Sequence, residues 1–240
     1  MTRRRLIEPT LHPRGRTRIP PLVADTATCH CRAMTVEPVP TPQQATLEYY
    51  QANAPHYRFG GASSHHRHLD SFLDMLPRKA EILELGAGAG QDAARMVQRG
   101  FVVDATDGSS AMARKARERF GISVRTMAFE ELEVRSAYDA VWAHAFLLHV
   151  PLKTLPSILA RIRRALRSGG RLFANFKLSD MHHPQEGFDP LGRWTNLPDE
   201  DWLHRHYEAA GFRILSTERY ADAGSDGVQR DWYALTMESP

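Results

Sequence analysis

Cysteine is nearly absent: the 240-residue chain has two, Cys29 and Cys31, both near its start. No disulfide framework and no cysteine nucleophile can therefore serve the remainder. Cys29-His30-Cys31 is also a poor match to zinc-ligand spacing, because its two thiols stand too close in sequence. Long apolar runs are lacking as well, and none approaches the ~18 residues that cross a bilayer. Net positive charge is lacking outside the N-terminus. Residues 1–33 hold seven arginines against Glu8 and Asp25, a net of +5, and the whole chain carries +3, so +3 less +5 leaves −2 for the rest. That balance excludes a basic stripe for nucleic acid on the main domain. No Asn/Asp-Pro-Pro-aromatic signature and no internal repeat is present.

What is there is ordinary globular composition, 42% hydrophobic and 25% charged, with length for one domain and an extension. Residues 1–42 read as a disordered, Arg- and Pro-rich extension, since they show no periodicity. They lack the apolar core of a secretory signal. A basic arm, an organellar transit segment or an over-extended start remain open for them, and the reading adopted is a start at Met34. Residues 43–240 read as a single domain, expected in the cytoplasm. Its first part, 43–78, is helical in pattern, with Tyr50 and Tyr57 on one run and Leu69, Phe72 and Leu73 on the next, joined by the Gly/Ser loop Phe59–Ser64. His65, His66 and His68 follow that loop and read as a solvated helix start, because His66 and His68 point to different sides of a helix.

Ala80–Asp92 reads as a buried strand, a glycine turn and a helix start. Ile82, Leu83 and Leu85 supply the strand, and Gly86, Gly88 and Gly90 let the backbone approach a ligand. Such a unit sets a helix N-terminus against a nucleotide-like molecule. A dinucleotide turn wants its third glycine one residue later, at the position held by Gln91. A second strand, Phe101–Asp107, ends in an acid placed to bind ribose hydroxyls, or alternatively to cap the helix that follows. Beyond it, strand and helix alternate: a helix over 110–120, strands over 123–127, 138–143 and 171–176, and a helix from Leu155 closed by Gly169-Gly170. The alternation argues for a parallel sheet covered on both faces, and after a helix around 199–210 the two last strands, 212–218 and 232–237, read as a closing hairpin with a long loop.

Glu84-x-Gly86-x-Gly88-x-Gly90 with Asp107 resembles the S-adenosylmethionine (SAM) motif of class I methyltransferases. Gly90–Ala93, Asp107–Ser110, Leu147–Pro151, Phe176-Lys177, Gly192–Trp194 and Arg230–Trp232 are similar to small bacterial members described as tellurite-resistance-like. The resemblance spans about Tyr49 to Met237. It implies an α/β, Rossmann-like seven-stranded sheet, mostly parallel with the last strand antiparallel. It implies SAM as cofactor, with Glu84, Gly86 and Gly88 along its amino-acid end, Ala87, Gly90 and Asp92 also cofactor-binding, and Asp107 on the ribose. Gly108, Met112 and Phe129 would lie beside the adenine, Ala143 and His144 would face the sulfonium, and Tyr57 would close over it. Many relatives carry an adenine-binding Asp where this chain has Ala128, a contact then lost or passed to Glu130.

Methyl transfer from a sulfonium asks the protein mainly to orient the reactants and exclude water. His149 reads either as a general base or as a packing and capping residue. Lys177, Arg193 and Arg230 would suit an anionic acceptor if they converge. The expected activity is in-line methylation of a small soluble acceptor, anionic or a soft thiol or metalloid centre, without a metal, nucleic acid or membrane. A nicotinamide-dependent oxidoreductase and a non-catalytic SAM-binding protein are the alternatives.

Overall fold

The computed structural model describes residues 40–57, 63–181, 183–224 and 227–240, with backbone alone for 63–66. The expectations for residues 1–39 of the N-terminal extension, with Cys29-His30-Cys31 and Met34, and for most of the Gly/Ser loop fall outside those residues, as do the side chains of His65 and His66.

Helix α1 (Pro42–Asn53) starts on a capping box: the Thr41 hydroxyl accepts the Gln44 N–H, and the Gln44 side chain accepts the Thr41 N–H at 2.9 Å. Helix α2 (Ser63–Asp74) follows, then β1 (Glu81–Leu85), α3 (Gln91–Gln98) and β2 (Val102–Asp107). Next come α4 (Ser110–Phe120), β3 (Val124–Thr126), β4 (Tyr138–Ala143), α5 (Leu155–Ala165) and β5 (Leu166–Lys177). A small hairpin, β6 (Gln185–Phe188) and β7 (Trp194–Leu197), precedes α6 (Glu200–Ala209), β8 (Arg213–Ala223) and β9 (Gln229–Ser239).

Seven strands form one sheet in the order β3-β2-β1-β4-β5-β9-β8, parallel except for β9, which is antiparallel to both neighbours. This is the Rossmann-like sheet with an antiparallel last strand that the sequence implies. Strand alternation divides the core. On β4, Val141 and Ala143 pack toward α5 and α6, while Ala140 and Trp142 pack with Leu69, Phe72 and Leu73 of α2 and Met96 of α3. Each fully buried Val, Leu, Phe or Met side chain among them contributes about 1.5–3 kcal/mol of burial free energy. The same alternation on β1 turns Ile82 and Glu84 toward α3, so an acid is buried at that helix's first turn.

Three expectations are corrected. Gly169-Gly170 does not close α5, which ends at Ala165 and passes directly into β5. Tyr138 pairs with Leu166 but Ala140 with Arg171, so the glycines lie in a bulge. A Cβ on Gly170 would stand 2.8 Å from the Arg167 carbonyl, which is why that position is small. The last hairpin is longer than its apolar cores suggest, because polar residues continue the pairing out to Ala223 and Gln229. His68 is not solvated: it is buried against Phe173 and Tyr220, with Nε2 3.1 Å from Glu218 on β8. The β6–β7 hairpin had no expectation in the sequence.

Candidate functional site

A cavity opens at the C-terminal ends of β1, β2 and β4, beneath α1. Its floor is the glycine turn. Gly86, Gly88 and Gly90 all take positive φ, at 75°, 54° and 80°. At Gly86 the requirement is also steric, since a Cβ there would meet the Phe146 ring at 2.3 Å. Gly90 caps α3 instead of lining the cavity, and a Cβ on it would stand 2.7 Å from that of Ala116.

Asp107, at the tip of β2, accepts the Gly88 N–H at 2.9 Å and the Ser109 N–H at 2.7 Å. The helix-capping role belongs to Ser109, whose hydroxyl accepts the Met112 N–H. Burial pushes the Asp107 carboxyl above its usual range, opposed by those two N–H groups. Glu84 is raised further, first by burial and then by the charges of Asp92 and Asp107. Its Oε2 is buried with no hydrogen-bond partner among the described residues. Asp92 is held by the Trp142 indole N–H at 2.7 Å. Glu84, Asp92, Asp107 and Glu130 line the cavity, and neither lysine nor arginine is among the lining residues.

Tyr57, Ala87, Gly108, Met112, Phe129, His144 and His149 also line it. Ala143 does not; it is fully buried in the core, one residue short of the lining His144. Glu130 reaches the rim beside Ala128, within 3.5 Å of Gln43. The turn after β4 is strained: Ala145 takes φ of 50°, and its N–H is held by Asn175 Oδ1 at 2.6 Å.

Helix α1 is fastened over the cavity at both ends. Thr46 Oγ1 accepts the Trp194 N–H at 2.8 Å, and Gln51 accepts from the Ser109 hydroxyl at 2.8 Å. Lys115 donates to the carbonyls of Ala54 and Tyr57 beyond its C-terminus. Tyr50, anticipated only as part of the cap, lies 3.0 Å from His149 Nε2, while His149 Nδ1 lies 2.6 Å from the Trp194 carbonyl. Burial drives His149 down to about 4, with Arg193 and Lys177 adding to the shift against the Trp194 hydrogen bond and Asp189.

None of the three candidate acceptor cations lines the cavity. Arg193 is buried, doubly bonded to Asp189 at 2.9 and 2.6 Å, and packed on Tyr49 and Tyr50. Lys177 lies over the Trp232 ring, and Arg230 donates to the Val228 carbonyl. Tyr50, Asn175 and Phe146 carry more of the site than their sequence neighbourhoods disclose. The adjacent Tyr49-Tyr50 pair on a helix was the one signal available for the first.

Sheet order and cavity position define the Rossmann-like methyltransferase fold. Residues 82–170 match a family model described as a methyltransferase domain. No curated protein matches the chain by sequence. Among solved structures, the chain is similar to 1,6-didemethyltoxoflavin-N1-methyltransferase of Burkholderia thailandensis, with 1,6-didemethyltoxoflavin and S-adenosylhomocysteine bound: 21% identity, TM-score 0.64, covering 84% of this chain and 92% of that one. It is similar to magnesium protoporphyrin IX methyltransferase of Synechocystis with S-adenosylhomocysteine bound, at 17% identity and TM-score 0.64 over 83% and 100% of the two chains. The [4+2]-cyclase SpnF is similar too, at 19% identity and TM-score 0.67 over 85% and 98%. One fold thus hosts different reactions, and function must be argued from the site.

Proposed function

We propose that the protein is a SAM-dependent methyltransferase acting on a small-molecule acceptor. The observation that carries this reading is charge. The cavity offers buried carboxylates, one with an orphaned oxygen, and no lysine or arginine in its lining. A dinucleotide's anionic pyrophosphate would be repelled there, whereas a ligand with ammonium and sulfonium charges complements these acids and offers the buried Glu84 Oε2 a partner. When bound, SAM supplies a methyl group activated on a positive sulfur.

The chain's residues do the rest. Glu84 takes the ammonium, and the Gly86–Gly88 backbone lies along the amino-acid end. Asp107, its carboxylate already aimed by two N–H groups, takes the ribose hydroxyls. Gly108, Met112 and Phe129 flank the adenine, with Glu130 substituting for the acid missing at Ala128. Tyr57 and His144 bound the reacting end. Helix α1 roofs the cavity, which favours an acceptor small enough to be enclosed and excludes water from the reaction. The Burkholderia and Synechocystis proteins, named for 1,6-didemethyltoxoflavin and magnesium protoporphyrin IX, support a small-molecule acceptor over a macromolecular one. Calorimetry with S-adenosylhomocysteine and with NAD tests the reading: micromolar binding of the first and none of the second is expected, and the reverse overturns it.

A further inference from the structure

We infer that Tyr50 is the group that receives the acceptor's proton, and that His149 behind it takes the proton Tyr50 gives up. This rests on the methyltransferase reading and adds to it the class of acceptor: a nucleophile carrying a proton, such as a phenol, an alcohol or an amine.

Hydrogen-bond polarity fixes the direction of the relay. A carbonyl only accepts, so the 2.6 Å contact with the Trp194 carbonyl assigns a proton to His149 Nδ1. Buried and neutral, the imidazole then presents a lone pair at Nε2, and Tyr50 must donate into it across 3.0 Å. A guanidinium only donates, so Arg193 Nη1 at 3.2 Å occupies one lone pair of the Tyr50 oxygen. The second lone pair has no partner among the described contacts, and Tyr50 lines the cavity. A hydroxyl or amine entering beneath α1 finds an acceptor there, not at His149, whose Nε2 is already engaged.

The atoms balance without a further reactant. The acceptor's oxygen or nitrogen bonds to the methyl carbon as the carbon–sulfur bond breaks, its electron pair staying on sulfur. The acceptor's proton passes to Tyr50, and the Tyr50 proton passes to His149 Nε2, leaving an imidazolium whose Nδ1 still donates to Trp194. The groups facing His149 are Tyr50 from α1, Arg193 and Asp189 before β7, and Lys177 from β5. Arg193 and Lys177 oppose its charging, and Asp189 favours it. The positive charge lost at sulfur reappears on the imidazole, so the cavity's total charge is unchanged across the step. Arg193 also holds the phenol oxygen in place and steadies any negative charge on it.

The test uses the full chain, Tyr50→Phe and His149→Gln. Nitrogen NMR of the wild type with S-adenosylhomocysteine is expected to show a neutral His149 protonated at Nδ1, with an Nε2 signal that shifts in Tyr50→Phe. A proton on Nε2 instead overturns the relay, whether or not any cofactor binds. Methyl transfer is then screened over phenols, alcohols and amines, and over dimethyl sulfide and dimethyl selenide, which have no proton to lose. The expected result is turnover of a protic acceptor that falls roughly 100-fold in kcat in Tyr50→Phe, with S-adenosylhomocysteine affinity unchanged. Undiminished kcat in Tyr50→Phe overturns the proposal, as does wild-type activity on the aprotic pair alone or on no protic acceptor while S-adenosylhomocysteine binds. Absence of S-adenosylhomocysteine binding to the wild type is instead the failure of the methyltransferase reading.

Discussion

The Asp107 carboxylate and the Gly88 N–H are joined at 2.9 Å, tying the tip of β2 to the glycine turn that follows β1. One side chain therefore both shapes the turn and faces the cavity. Asp107→Ala is expected to weaken S-adenosylhomocysteine binding about 10–150-fold, the loss of one charge-assisted bond worth about 1.5–3 kcal/mol. It should lower the melting temperature as well, because Gly88 and Ser109 lose their acceptor. Unchanged affinity by calorimetry would refute the ribose assignment.

Glu84 should make stability fall with pH. Its folded-state affinity for a proton exceeds the unfolded one, so the native state is favoured at low pH. That advantage is lost as pH rises from the ordinary carboxylate range through the raised folded value. Glu84→Gln removes the loss, so the melting temperature of the variant should gain on the wild type as pH rises above the ordinary carboxylate range. The same variant should bind S-adenosylhomocysteine more weakly. Binding to the wild type should release protons, measurable by calorimetry in buffers of different ionisation enthalpy.

Arg193 and Asp189 form a buried ion pair that anchors the hairpin under α1, with side chains 3% and 10% exposed. Arg193→Ala strands the aspartate and is expected to cost about 3–5 kcal/mol in urea unfolding. Replacing both partners by apolar residues should cost much less. Equal losses in the two variants would show that the charge pairing is irrelevant.

Gly86→Ala brings two penalties, the positive φ and the collision with Phe146. Together they should destabilise by about 2–5 kcal/mol. Adding Phe146→Ala removes the steric part alone, so the double variant should recover stability relative to the sum of the singles. Strict additivity in a double-mutant cycle would place the whole cost in the backbone.

The legible parts of the molecule were those written locally. Ile82 to Asp107 could be read because a strand, a glycine turn, a capped helix and an acid-tipped strand each leave their pattern within a few residues. Asp107 stands in the cavity lining, and the hydroxyl that caps the following helix is that of Ser109. What escaped depends on distant partners. Gly169-Gly170 looks like a helix stop until Leu166 is seen to pair with Tyr138 and begin β5. Arg193 looks like a substrate cation until Asp189 is found beside it. The link from Tyr50 to His149 joins positions 99 apart in the chain, and no periodicity encodes it.

The reversal of β9 has a practical consequence for anyone attaching this protein to a surface. Running against its neighbours, it starts beside Lys177, at the cavity end of β5, and finishes with Ser239 opposite Gly170, at the far edge. A biotin or a resin linker fixed after Pro240 would leave the mouth beneath α1 facing solution. Immobilised molecules should therefore take up small ligands as freely as dissolved ones.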